Sequence, residues 1–174
     1  MKSIRTARLY FRPLRTGDEG YLFPEIHEGI TEHWIGWEPP ETIEEARSAV
    51  IKSINACKKG RAVELIAFSR QEDEFIGCVG ISHTTDWGEF EINLWVKTSA
   101  QKQGYGREMC DMMIEWARQN VDLDYIVYSV TDGNVVSTKL ARTMNLPELR
   151  TWAATKNGAV RKVTDYKVIL RNPR

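Results

Sequence analysis

The seven residues Gln101-Lys102-Gln103-Gly104-Tyr105-Gly106-Arg107 combine two closely spaced glycines with two cations. Gly104 and Gly106 carry no Cβ, so the backbone there can turn sharply and approach a ligand closely. A helix starting here leaves first-turn N–H groups without intrahelical partners, at the positive end of its dipole. The chemistry this suits is phosphate binding, with Lys102 and Arg107 adding charge. A glycine pair also fits an ordinary helix-start turn. No G-x-x-x-x-G-K followed by Ser or Thr is present, which excludes a P-loop. The third glycine of a dinucleotide fold is missing as well.

Upstream, Phe90 to Lys97 reads as a strand with Glu91, Asn93 and Trp95 on one face. A carboxylate inside such a strand is unusual, because β positions disfavour it and burying its charge is costly. It is either an exposed edge residue or a general base. Downstream, Asn134 and Ser137 lie one helical turn apart and share a face. Asn134 suits a helix cap as well as a ligand contact. Trp34 and Trp37 sit in T-E-H-W-I-G-W-E-P-P, a loop in which they either pack over the core edge or line a recognition pocket. His83, Asp86 and Trp87 fall in the loop from His83 to Gly88, whose residues carry the same two readings.

The elements that must position these residues follow from periodicity. Ile4 to Leu14 alternates as a half-buried strand ended by Pro13. Thr16 and Glu19 have capping-box spacing and open a helix to about His27, with Pro24 as a kink or stop. Thr42 and Glu45 open a second helix, closed by Lys58-Lys59-Gly60. Ala62 to Ser69 and Phe75 to Ser82 form an antiparallel hairpin, with Gly77 and Gly80 marking a bulge or close approach. A helix over Gly104 to Gln119 carries Met109, Met112, Met113 and Trp116 as its apolar stripe. Tyr125 to Val130 is a strand parallel to the Glu91 strand. A last helix covers Thr131 to Asn145. Leu149 to Thr155 and Lys162 to Leu170 close the chain as a hairpin around Asn157-Gly158.

Composition sets the outer limits. The chain has 174 residues, 42% of them hydrophobic, which suits one domain spanning 1–174 around one core. Lys plus Arg and Asp plus Glu both number 24, so no bulk attraction to nucleic acid or anionic membrane is expected. Three cysteines (Cys57, Cys78, Cys110) at wide spacings indicate neither a disulfide framework nor a zinc site. Three scattered histidines give no metal pattern. No signal peptide or membrane span is visible, and a cytoplasmic location fits.

The string Q-x-x-G-x-G at Gln101 to Gly106, following E-I-N-L-W-V, resembles the pyrophosphate motif of the GNAT superfamily of acyl-CoA-dependent N-acyltransferases. The opening T-x-R-L-x-x-R-P-L from Thr6 to Leu14 resembles its RimJ/RimL-like branch, as do Asn134-x-x-Ser137 and the ending after Asn157-Gly158. The resemblance implies a mixed α/β GNAT-like fold: a central, mostly antiparallel sheet of about seven strands flanked by helices. It implies acetyl-CoA as cosubstrate, no metal, and a primary amine as acceptor, either a protein N-terminus or a small molecule. A catalytically silent CoA-binding module on the same fold is the alternative, and a homodimer is compatible with either.

By the same resemblance, backbone groups of Leu94, Trp95 and Val96 pair with the pantetheine. Gln101, Lys102, Gln103, Gly104, Tyr105, Gly106 and Arg107 hold the pyrophosphate, and Asn134 and Ser137 contact the arm and the sulfur. Glu91 is the implied base, directly or through water, and Ser137 the donor to the leaving thiolate. Trp34, Trp37, His83 and Asn93 are assigned to the acceptor. Where relatives carry a K-L-G-F-type turn, this chain has Thr143-Met144-Asn145-Leu146-Pro147. Asn145 can take the left-handed conformation that the glycine would.

Overall fold

The computed structural model describes residues 3–26, 28–83 and 88–171. Asp86 and Trp87, and His27 at the end of the first expected helix, lie outside them. Eight strands form one sheet: β1 (Ile4–Arg5), β2 (Leu9–Pro13), β3 (Ala62–Ser69), β4 (Phe75–His83), β5 (Phe90–Val96), β6 (Tyr125–Thr131), β7 (Glu148–Lys156) and β8 (Ala159–Ile169). Their order is β1-β2-β3-β4-β5-β6-β8-β7. Every neighbouring pair is antiparallel except β5 and β6, which run parallel. The helices are α1 (Glu19–Leu22), α2 (Glu28–Thr31), α3 (Ile43–Lys58), α4 (Tyr105–Asn120) and α5 (Val135–Thr143). None among the described residues is long and apolar enough to cross a membrane.

Period-two alternation on the central strands feeds two cores. Leu65, Val79, Ile81 and Ile92 face one side, under Met109, Met113 and Ala117 of α4. Ile66, Phe68 and Cys78 face the other, with Leu22 of α1 and Val50 of α3. Glu64, Gly80 and Asn93 form a single cross-strand row on this second face, and Glu91 shares it one pair further along.

The structure departs from the sequence expectation at three places. The first strand is two, because Thr6 turns the chain: its N–H bonds the Leu9 carbonyl (2.9 Å), and its hydroxyl accepts from the Leu9 N–H (3.2 Å). Hence the sheet has eight strands, in keeping with the expected count of about seven. The helix expected from Thr16 is broken into the single turn α1, a 3-10 turn at Phe23–Glu25 containing Pro24, and α2. Glu19 does not close the expected capping box. It accepts from the Gly17 N–H (2.8 Å) and pairs with Arg47 (2.8 Å), tying α1 to α3. The last helix begins at Val135, because Thr131 is still in β6 and Gly133 (φ +87°) breaks the chain between them.

Other local signals behave as their chemistry dictates. Thr42 Oγ1 accepts from the Glu45 N–H (3.2 Å) at the start of α3. Asn157 and Gly158 take φ of +50° and +75° at the β7–β8 turn. Asn145, φ +53°, ends α5 in place of glycine, and Leu146 N–H then bonds the Ala141 carbonyl (3.1 Å).

Candidate active site

The parallel pair at the centre of the sheet scarcely pairs. Its register holds only Glu91 opposite Val127, and beyond that point β5 and β6 splay. The other edge of β5 is satisfied: Lys97 N–H bonds the Ile76 carbonyl of β4 (2.9 Å). Backbone groups alternate sides along a strand, so Trp95 points its N–H and C=O to β4 while Leu94 and Val96 point theirs into the splay. A Cβ on Gly77 would lie 2.1 Å from the Trp95 carbonyl oxygen, so glycine is what lets β4 lie this close to β5. The Val96 carbonyl accepts from Gln101 Nε2 (3.1 Å), leaving its N–H to the gap.

The glycine loop closes one end of the gap. Lys102 (φ +61°) and Gly104 (φ +83°) both take the left-handed conformation, and Gly104 is the N-cap of α4. The helix ladder begins at Glu108 N–H, which bonds the Gly104 carbonyl (3.2 Å). The N–H groups of Tyr105, Gly106 and Arg107 therefore belong to the unsatisfied first turn. A Cβ on Gly106 would come within 3.7 Å of Leu94 and 3.8 Å of Val96, so the helix start rests on the splayed strand. Gln103 contributes its carbonyl, which accepts from Arg8 Nη1 (2.8 Å). Arg107 is engaged by Asp111 (2.7 Å) and by the Thr143 carbonyl (3.2 Å), while Lys102 is exposed.

Arg8 is a part of this loop that the sequence reading did not single out. Its guanidinium stacks on Tyr105 at 4.5 Å and pairs with Glu108 (2.7 Å). Glu108 also accepts from Thr6 Oγ1 (2.6 Å) and Arg8 N–H (2.9 Å). Burial favours a raised Glu108 carboxyl, but these bonds together hold it below its ordinary value. The β1–β2 turn is thereby fastened to the start of α4.

A cavity of about 630 Å³ opens on the second face of the sheet, above the splay. Glu91, Asn93, Ser137 and Asn134 line it, with Trp34 and Trp37 on the opposite wall and His83 exposed against Phe90 at 5.2 Å. Trp34 packs edge-on to Trp37 (4.8 Å) and near Trp95 (6.3 Å), forming an indole wall. The loop that carries it is anchored from β7: Lys156 Nζ donates to the carbonyls of Thr31 (2.5 Å) and Trp34 (2.6 Å).

Glu91 is part-buried in this cavity. Burial pushes its carboxyl up, the negative charge of Asp165 adds to that, and a hydrogen bond from Ser129 offsets part of it. Asp165, 1% exposed, accepts from Arg150 Nε (2.8 Å) and Trp152 Nε1 (3.0 Å), and Arg150 also pairs with Glu89. Asn134 caps α5 through Oδ1, which accepts from the Ser137 N–H (3.0 Å), so its amide Nδ2 remains to serve the cavity. Ser137 contacts Tyr128, whose hydroxyl burial raises to about 12 despite that contact.

Ser129, Asp165, Arg150 and Glu64 are cavity residues that sequence reasoning missed. Glu64 carries the signal that singles out Glu91, a carboxylate inside an apolar strand. Asp165 and Arg150 reach the site only through the β6–β8–β7 pairing, which sequence spacing does not reveal.

The fold is similar to several solved structures. A Salmonella typhimurium acetyltransferase that modifies the N-terminal serine of ribosomal protein L7/L12 superposes with a TM-score of 0.83 at 18% identity, over 97% of this chain and 99% of that one. RimL, the ribosomal L7/L12 alpha-N-protein acetyltransferase, in complex with coenzyme A gives 0.82 at 19% identity, over 97% and 98%. Spermidine N-acetyltransferase from Vibrio cholerae, in complex with CoA and spermine, gives 0.80 at 17% identity, over 95% and 97%. No functionally curated protein matches the sequence significantly. The acetyltransferase (GNAT) domain model matches residues 8–147, a span holding the loop, the splay, Glu91 and Ser137. The chain belongs to the GNAT acetyltransferase domain family.

Proposed function

We propose that this protein transfers the acetyl group of acetyl-CoA to a primary amine by direct attack within a ternary complex. The observation that carries this reading is the single-pair contact between β5 and β6, with the unsatisfied start of α4 at one end of the gap and Glu91 in its wall. The N–H groups at 105–107 suit the pyrophosphate, assisted by Lys102 and Arg8. The Leu94 and Val96 backbone groups suit the amides of the pantetheine arm. Val96 N–H, once the thioester lies in the gap, stabilises the oxyanion that forms on attack.

An amine acceptor is protonated near neutrality and must lose a proton before it attacks. Glu91 takes that proton, directly or through a water, and its raised affinity for protons makes it a better base than an exposed carboxylate. Asn134 Nδ2 donates to the pantetheine arm and Ser137 donates to the departing thiolate. The thiolate is already a fair leaving group, with a parent thiol pKa of roughly 8.5, so that assistance is small. Trp34, Trp37, Asn93 and His83 receive the acceptor; among the similar structures one protein modifies the N-terminal serine of a ribosomal protein and another, a spermidine N-acetyltransferase, is in complex with spermine. A cytoplasmic setting accords with the free thiols Cys57, Cys78 and Cys110.

The test is release of CoA thiol from acetyl-CoA with a panel of primary amines and N-terminal peptides. Amine-dependent release that requires Glu91 supports the proposal. Tight CoA binding with no release by any amine would replace it with a CoA-binding module that does not turn over.

A further inference from the structure

The face of the cavity away from the splay holds a second carboxylate with no task in the proposed transfer. Glu64 on β3 pairs in register with Gly80 on β4, which pairs with Asn93 on β5. A Cβ on Gly80 would lie 2.5 Å from Glu64 Oε2. The Glu64 carboxylate therefore lies over Gly80, in the space any other residue would fill, and is directed along the row towards Asn93. Both residues line the cavity.

Among the described residues, nothing donates to the Glu64 carboxylate or to Asn93 Oδ1. Glu64 makes no side-chain hydrogen bond or ion pair among the described residues. Asn93 spends its amide Nδ2 on Ser82 Oγ (3.2 Å), which leaves Oδ1 for the cavity. Among the described residues, the groups around Glu64 supply no cation. Cys57 faces it from α3 and Cys78 from β4, while Arg12 of β2 is held by Asp18 (2.7 Å). Isolated in this way, Glu64 is pushed by burial to about 7. Glu64 is part-buried, reached by solvent only through the cavity; a carboxylate held there without a partner is costly, and a cation entering the cavity is what would relieve it.

We infer that Glu64 sets the acceptor specificity of this site: its carboxylate and Asn93 Oδ1 receive the second cationic nitrogen of a compact aliphatic diamine, whose other nitrogen is acetylated. The inference rests on the acetyl-transfer reading for the acetylated nitrogen alone. Strands lie about 4.8 Å apart and residues two apart on one strand about 7 Å, so the carboxylate over Gly80 sits roughly 6–9 Å from Glu91. A chain of about four or five methylenes spans that gap. The indoles of Trp34, Trp37 and Trp95 give the methylenes an apolar wall.

Calorimetric titration of the full chain with 1,4-diaminobutane and with n-butylamine, without acetyl-CoA, tests this. The native protein is expected to bind the diamine at least 10-fold more tightly. At pH 7 it should also release part of a proton, read as a binding heat that depends on the buffer's ionisation heat. The amines are fully protonated at that pH and contribute none. Glu64→Gln should abolish the preference and the part of the proton release that exceeds that on binding n-butylamine, the remainder belonging to Glu91; Glu64→Asp, which keeps the charge but withdraws it by one methylene, should retain an intermediate preference. Thermal unfolding of both variants reports that they fold. Equal affinities for the two amines, no binding of either, or a preference that survives Glu64→Gln would overturn the inference. A native protein that acetylates butylamine without preferring the diamine overturns this inference and leaves acetyl transfer standing. Diamine binding through Glu64 with no acetyl transfer to any amine overturns the acetyl-transfer reading instead.

Discussion

Glu64→Gln should stabilise the free protein, and only at high pH. Folding raises the Glu64 carboxyl from its ordinary 4.5 to about 7, because burial disfavours the charged form. The folded state thus holds its proton over a range where the unfolded chain has lost it, and stability falls as pH rises through that range. The penalty is absent below about pH 4.5 and complete above about pH 7. In free energy the full shift amounts to roughly 3 kcal/mol, and water reaching the carboxylate through the cavity reduces this to about 1–3 kcal/mol. The amide has no charge to bury and nearly the same shape. At about 2–4 °C per kcal/mol for a chain of this size, the variant should melt roughly 2–12 °C above the native protein at pH 8.5 and level with it at pH 4. Calorimetric scans from pH 4 to 9 measure this directly. Parallel curves, or a native protein more stable than the variant at pH 8.5, would show that Glu64 has a compensating partner and would refute the reasoning.

Further predictions concern the other half of the site. Glu91→Gln should lower the rate of acetyl transfer at neutral pH by about 10²-fold or more, with CoA affinity nearly unchanged; unchanged turnover would remove Glu91 from the mechanism. In the native enzyme the acid limb of the rate profile should lie above the ordinary carboxylate value, since Glu91 must be ionised to act and its carboxyl is raised. Asp165→Asn removes a charge that raises Glu91, so that limb should move to lower pH; stability should fall by about 1–3 kcal/mol, because Arg150 and Trp152 lose a charged acceptor while Arg150 keeps Glu89. Gly104→Val places a β-branched residue at φ +83° and should cost about 1–2 kcal/mol of stability, with a larger loss in CoA affinity, measured by thermal unfolding and titration.

Features legible in the sequence are the ones set by neighbours along the chain. The loop from Gln101 to Gly106 and the Thr42 cap are short-range patterns with a direct backbone cause, as is the Asn157-Gly158 turn. The structure shows each of them. The Met stripe of α4 is buried as its spacing requires, with Trp116 at its part-buried margin. The first strand misled because alternation is blind to a tight turn within it, and Thr6 is a small polar residue that closes such a turn with its hydroxyl. Thr16 and Glu19 misled because Glu19 had a charged partner, Arg47, that lies 28 residues away in the chain. Pairings across the sheet were illegible for the same reason: Glu64 over Gly80, Asp165 beside Glu91, and Arg8 on Glu108 are products of register and packing, not of spacing.

If the α4 start and the β5–β6 gap hold acetyl-CoA, calorimetric titration of the native protein with acetyl-CoA and CoA, at low and moderate salt, will detect it. One site of micromolar order is expected, with an affinity that weakens as salt screens the phosphate contacts. Absence of binding at either salt concentration would contradict it, and the loop would then be no more than a helix-start turn.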